Sequence, residues 1–175
     1  MAGFLSAHGY KPGPTQRPLL AGAASGLLGT APAIALLHFF GSLQAEARIL
    51  GLSVPATIGA GLAVMAFAGA VYARLFGRAA NDVRAGWLFG MVFGFALWTA
   101  GAVLVLPAVS DGRAPAGEAA IGVFLSLVLW GAALGALVPF VHRPMHANLQ
   151  QAAQRRQSGP AAATRKEHLP GSKNR

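Results

Sequence analysis

No cysteine occurs in the 175 residues, which excludes disulfide staples, thiolate metal sites, cysteine nucleophiles and iron–sulfur clusters together. Charge is scarce as well, at 11% of residues against about 25% in a soluble domain. Acid is the scarcer sign, with five Asp and Glu against fourteen Lys and Arg. None of those acids falls inside the long apolar stretches of the chain. A titratable carboxylate at depth is what proton-coupled carriers and aspartyl membrane proteases use, so both classes are disfavoured. A Gly-x-Ser-x-Gly elbow, a Walker loop and a dinucleotide fingerprint are all missing.

What the chain has instead is hydrocarbon, with 54% apolar residues collected into blocks. Charged residues leave uncharged intervals at 18–45, 49–73, 85–110 and 119–142. Each exceeds the roughly 20 residues that an α-helix needs to cross a bilayer core. In hydrocarbon every backbone N–H and C=O must find its partner within the segment, which makes these intervals helices. The expected spans are 18–42, 55–77, 85–108 and 119–142, giving an all-α, polytopic four-helix membrane bundle. A cleavable signal peptide ending at Ala31-Pro32-Ala33 is the competing reading of the first span. The apolar run continues through Ile34-Ala35-Leu36-Leu37 to Phe40, however, so Pro32 reads as a kink in a membrane helix.

Basic residues assign the sides, because cytoplasmic flanks retain Lys and Arg. Lys11 and Arg17, then Arg74, Arg78 and Arg84, then Arg143 with the six basic residues of the tail all fall on one side. The other side receives only Arg48 and Arg113, each close to an acid. Both termini are therefore expected in the cytoplasm. The organisation expected is a cytoplasmic segment 1–17, the transmembrane domain 18–142 and a basic tail 143–175. Within that tail, Met145 to Gln157 suits a polar helix, and the stretch from Ser158 has the composition of a disordered segment. Between the first two spans, Leu43 to Leu52 fits a short interfacial helix. Asp111-Gly112-Arg113-Ala114-Pro115 reads as a turn.

Small residues recur four apart: Gly22 with Gly26, Gly59 with Ala63, Gly90 with Gly94, and Gly131 with Gly135. That spacing lets helix backbones approach closely, the main route to association where lipid supplies no hydrophobic drive. The first and third spans share an early glycine pair, and the second and fourth share Ile-Gly near their start, at 58 and 121. Two helical hairpins related as a parallel repeat would produce this pattern.

Few side chains offer chemistry. His38, near the outer end of the first span, is the one candidate cofactor ligand, for haem or quinone; an interfacial histidine bonded to a carbonyl or water is the plainer reading. His142 and His146 have metal-ligand spacing but lack an acidic or cysteine companion, and Pro144 between them weakens the helix there. No metal site and no catalytic residue is expected. Arg74 suits snorkelling, Trp87 and Tyr72 suit interfacial anchoring, and Trp98 and Trp130 suit packing. Ser25, Thr30, Thr99 and Ser126 suit hydrogen bonding to helix backbone.

The run Ala85-Gly86-Trp87-Leu88-Phe89-Gly90-Met91-Val92-Phe93-Gly94-Phe95-Ala96-Leu97-Trp98, closing near Pro107, and Leu20-Ala21-Gly22 resemble small bacterial inner-membrane proteins of the YagU-like kind. The resemblance implies a bacterial cytoplasmic membrane and carries no activity with it. The function expected is an accessory, scaffolding or interaction subunit without a catalytic site. A small-solute channel or carrier acting as an oligomer is the alternative, and a haem- or quinone-associated protein using His38 is the second alternative. No cofactor is expected. The expected partners are the bilayer, anionic headgroups at the basic flanks, and a second copy or a larger membrane complex, with no nucleic acid.

Overall fold

A computed structural model of the chain describes residues 17–80 and 82–157, with side chains described for 17–77, 79, 80 and 82–142. It is 85% helical, with no strand among the described residues. Four helices are long and apolar enough to cross a membrane: Pro18–Phe39, Val54–Gly77, Gly86–Val109 and Glu118–His142. Residues 18–142 form one unit, and the residues from Arg143 form another, helical as far as Gln157. The segment before Arg17, Asn81, the side chain of His146 and the tail from 158 lie outside the described residues.

The spans are not uniform rods, and proline explains where they yield. The first breaks at Gly29 into Pro18–Leu28 and Thr30–Phe39. Pro32 has no N–H, and its ring opposes the carbonyl four residues back, at Leu28. Thr30 compensates locally, its Oγ1 donating to the carbonyls of Gly26 and Leu27. The third span is α-helical over Gly86–Trp98, widens to a π-helix over Thr99–Val105 and closes as Leu106–Val109. Pro107 sits just beyond the widened turns, an adjustment that relieves the proline's lost bond within a membrane helix.

Between the first two spans, Gly41 at φ 64° turns the chain into a nine-residue helix, Ser42–Leu50. Gly51 at φ 65° ends that helix. The Gly51 and Leu52 N–H groups donate back to the carbonyls of Arg48 and Ala47, a Schellman closure that requires the left-handed residue glycine supplies.

Glycine backbones hold each hairpin together. A methyl group added to Gly22 would collide with the carbonyl of Gly69 and the Ala73 side chain, and one on Gly26 with the carbonyl of Met65. The second hairpin repeats this contact. Gly90 meets the carbonyl of Gly131 and the Gly135 nitrogen, and Gly94 meets the carbonyl of Leu127. Gly22 and Gly26 thus match Gly90 and Gly94, while Met65, Gly69 and Ala73 match Leu127, Gly131 and Gly135, with one constant offset for each set. Burial follows the same register: Ala68, Gly69, Tyr72 and Ala73 are buried on the second span, and Trp130, Gly131, Leu134 and Gly135 on the fourth. The Ile-Gly pairs do not share an environment. Gly59 faces open space, whereas Gly122 packs against Phe40 and Ser42.

The hairpins join through an aromatic core. Tyr72, Trp130, Leu134 and Val138 are almost completely buried, with Phe76, Phe93 and Leu97 packed around them. The Tyr72 ring lies 4.9 Å from Phe76 and 5.3 Å from Phe93, and Phe93 lies 6.3 Å from Trp130. These separations fall in the range where ring pairs add to area burial.

Candidate functional site

Polar side chains in a membrane bundle either satisfy the backbone or wait for a ligand, so their bonds show where chemistry is available. Trp130 Nε1 donates to the Gly26 carbonyl at 2.9 Å, and Tyr72 Oη donates to the Gly86 carbonyl at 3.0 Å. Thr57 Oγ1 donates to Ser53 O, Thr99 Oγ1 to Phe95 O, and Ser126 Oγ to Val123 O. Ser42 Oγ ties the short helix to the start of the fourth span through Ala119 O, at 2.9 Å. Ser25 differs: its Oγ is buried and has no hydrogen-bond partner among the described residues.

A partly open cavity of about 110 Å³ lies beneath the short helix, lined by residues of that helix and of the first, second and fourth spans. Ile34, Leu37, Ile58, Leu62, Met65 and Leu127 make its apolar wall, and Thr30, Thr57 and Ser126 bring hydroxyls to it. Glu46 is the one ionisable side chain at its lining. Helical spacing explains the placement, because Glu46 stands on the same face as Leu43 and Ala47, which are both buried. Its carboxylate has no hydrogen bond or ion pair with any described residue, and burial pushes it above its ordinary value of 4.5. Arg48, two residues on, points away and its Nε donates to Gln44 O at 3.1 Å. A second hollow of about 180 Å³ lies between Trp98, Val103, Pro107, Pro115 and Val123, and its lining carries no ionisable group.

Of the small-residue pairs read from the sequence, Gly22 with Gly26, Gly90 with Gly94 and Gly131 with Gly135 stand at closely apposed backbones. Gly59 has nothing within 4 Å of the position a Cβ would take, and Ala63 is exposed. On the second span the close contact falls at Gly69 instead. His38 is exposed at the end of the first span, and His142 is buried at the end of the fourth. Since successive spans run antiparallel, the two histidines belong to opposite ends of the bundle. Among the described residues no three His, Asp or Glu side chains cluster as metal ligands would. Arg74 is exposed. Trp87 Nε1 donates to Arg84 O at 3.0 Å, and Trp98 packs edge-on against Phe124 at 5.1 Å.

Three residues escaped the sequence reading. Gly69 and Gly86 complete the hairpin contacts but have no partner at four-residue spacing that was singled out, although Gly86-x₃-Gly90 was visible in the sequence. Glu46 is the acid two residues before Arg48, and that pairing in the sequence suggests a solvated polar pair. The pattern Leu43, Glu46, Ala47, which puts the acid inside an apolar stripe, was the available sign that it turns inward. Compared with known families, curated proteins and solved structures, the chain matches none.

Proposed function

We propose that the chain is a non-catalytic subunit of a bacterial cytoplasmic membrane, with both termini cytoplasmic, that acts by association with a second copy or a larger membrane complex. The observation that supports this most is the use of its polar groups. Thr30, Tyr72, Thr99, Ser126 and Trp130 all donate to helix carbonyls, so their protons are engaged in holding the bundle rather than offered to a substrate. The outward face of the second span adds to it. Ala56, Gly59 and Ala63 are exposed there at helical spacing, and Gly59 leaves room for another backbone. The one-sided basic flanks support the orientation and attraction to anionic headgroups.

Affinity purification in a gentle detergent tests the reading. Wild-type protein should carry a stoichiometric companion or run as an oligomer, and Gly59→Leu with Ala63→Leu should lose it at unchanged thermal stability. A monodisperse, companion-free monomer for both proteins would sink it. The alternative, a small-solute channel or carrier working as an oligomer, draws on the cavity below Glu46. Solute flux across liposomes containing the protein separates the two.

A further inference from the structure

The cavity below Glu46 has a donor–acceptor character that its apolar wall does not dictate. Each hydroxyl on its lining has a single proton to give, and each has given it. Thr30 Oγ1 donates to Gly26 O at 3.1 Å, Thr57 Oγ1 to Ser53 O at 3.1 Å, and Ser126 Oγ to Val123 O at 2.8 Å. What those hydroxyls retain for an occupant is lone pairs. An ionised carboxylate is likewise acceptor-only, and Glu46 has no cation or N–H of the described protein against it. Among the described residues no Lys, Arg or His lines the cavity. With Glu46 ionised, the site offers hydrocarbon and acceptors under one negative charge, and its lining hydroxyls have no further hydrogen to donate.

We propose that this cavity binds an amphiphilic amine: an apolar body seated among Ile34, Ile58, Leu62 and Met65, with a protonated primary or secondary ammonium donating to the Glu46 carboxylate. Three alternatives fit the wall less well. An anion would meet lone pairs and a like charge. A neutral alcohol would leave the carboxylate without a counter-charge in a partly desolvated setting, where pairing matters most. A bare divalent cation needs about six oxygen ligands, and one carboxylate with three hydroxyl oxygens on an otherwise apolar wall falls short. The enclosed volume, about 110 Å³, is smaller than the roughly 150 Å³ of a cavity that admits benzene. It holds a short alkyl segment, with the ammonium at the Glu46 rim, and because the cavity is partly open the remaining carbons of a longer chain extend out of it.

Binding of octylammonium, octanol and octanoate to the full-length protein in dodecyl maltoside, measured by calorimetry and thermal shift, tests the proposal. Octylammonium should bind saturably and raise the melting midpoint, while octanol and octanoate produce no saturable response. Glu46→Gln should weaken octylammonium at least tenfold. Leu62→Trp, which fills the cavity and spares the carboxylate, should weaken it as much and serves alone if Glu46→Gln does not fold. Equal binding of octanol and octylammonium, or full affinity in either folded variant, overturns the site. The same ammonium chemistry occurs on phosphatidylethanolamine, so binding is repeated in phosphatidylcholine nanodiscs with and without that lipid. Undiminished octylammonium affinity supports a free amine, and displacement by the lipid overturns that assignment.

Discussion

The indole Nε1 of Trp130 donates to the main-chain carbonyl of Gly26, 104 residues away in sequence, at 2.9 Å and in complete burial. Gly26 lies just before the break at Gly29, where its carbonyl is also reached by the Thr30 hydroxyl. A backbone carbonyl beside one span's break is therefore bonded by the side chain of another. Tyr72 makes the converse link, from the second span to the Gly86 carbonyl of the third. The glycine contacts close each hairpin, and these two bonds run between hairpins.

Trp130→Phe removes the bond and keeps most of the ring volume. The expected loss is about 0.6 to 2 kcal/mol, the range for a hydrogen bond between membrane helices, since the Gly26 carbonyl keeps the Thr30 hydroxyl. Trp130→Ala should lose about 3 to 5 kcal/mol, since it also leaves a cavity. Thermal or denaturant unfolding in detergent measures both. Equal effects would show that the ring's packing contributes nothing beyond its bond.

Tyr72→Phe should cost about 0.6 to 1.7 kcal/mol on the same assay. Combined with Trp130→Phe, it should destabilise by more than the sum of the single changes if the two bonds hold one interface between hairpins. Strict additivity would mean that the two bonds act independently of one another.

Gly94→Leu should disrupt folding or assembly, because its side chain would enter the space held by the Leu127 carbonyl and the Gly131 Cα. Ala96→Leu, two positions further round the helix and exposed, should be accepted. Detergent stability and size-exclusion profiles compare them. Matching profiles would mean that the backbones do not approach this closely.

Stability should vary with pH through Glu46. Burial raises its folded-state pKa above 4.5, so in the interval between 4.5 and the raised value the folded protein binds more protons than the unfolded one. Stability then falls as pH rises across that interval and levels off above it. Glu46→Gln should flatten this slope. A slope that persists unchanged in the variant would assign it to other groups.

Reporter fusions at Arg175 and Asp111 should place the first in the cytoplasm and the second outside, as the distribution of basic residues requires. An external Arg175 fusion would invert the arrangement.

Four spans were legible in the sequence because the length of an apolar run is a local property, and a membrane helix satisfies its backbone without outside help. Their observed bounds, Pro18–Phe39, Val54–Gly77, Gly86–Val109 and Glu118–His142, lie close to those expected. The pairs Gly22 with Gly26 and Gly90 with Gly94 were legible for the same reason, since four-residue spacing defines one helical face. Which face meets which neighbour was not. Rotation of a helix about its axis is set by all its contacts at once, so only the assembled bundle decided that the second span presents Gly69 inward and Gly59 outward. The bundle likewise aimed the Trp130 indole and the Tyr72 hydroxyl at carbonyls on other spans. Glu46 marks the boundary between the two kinds of knowledge: its helix was written in the sequence, and its place over a cavity depended on three spans that the sequence separates.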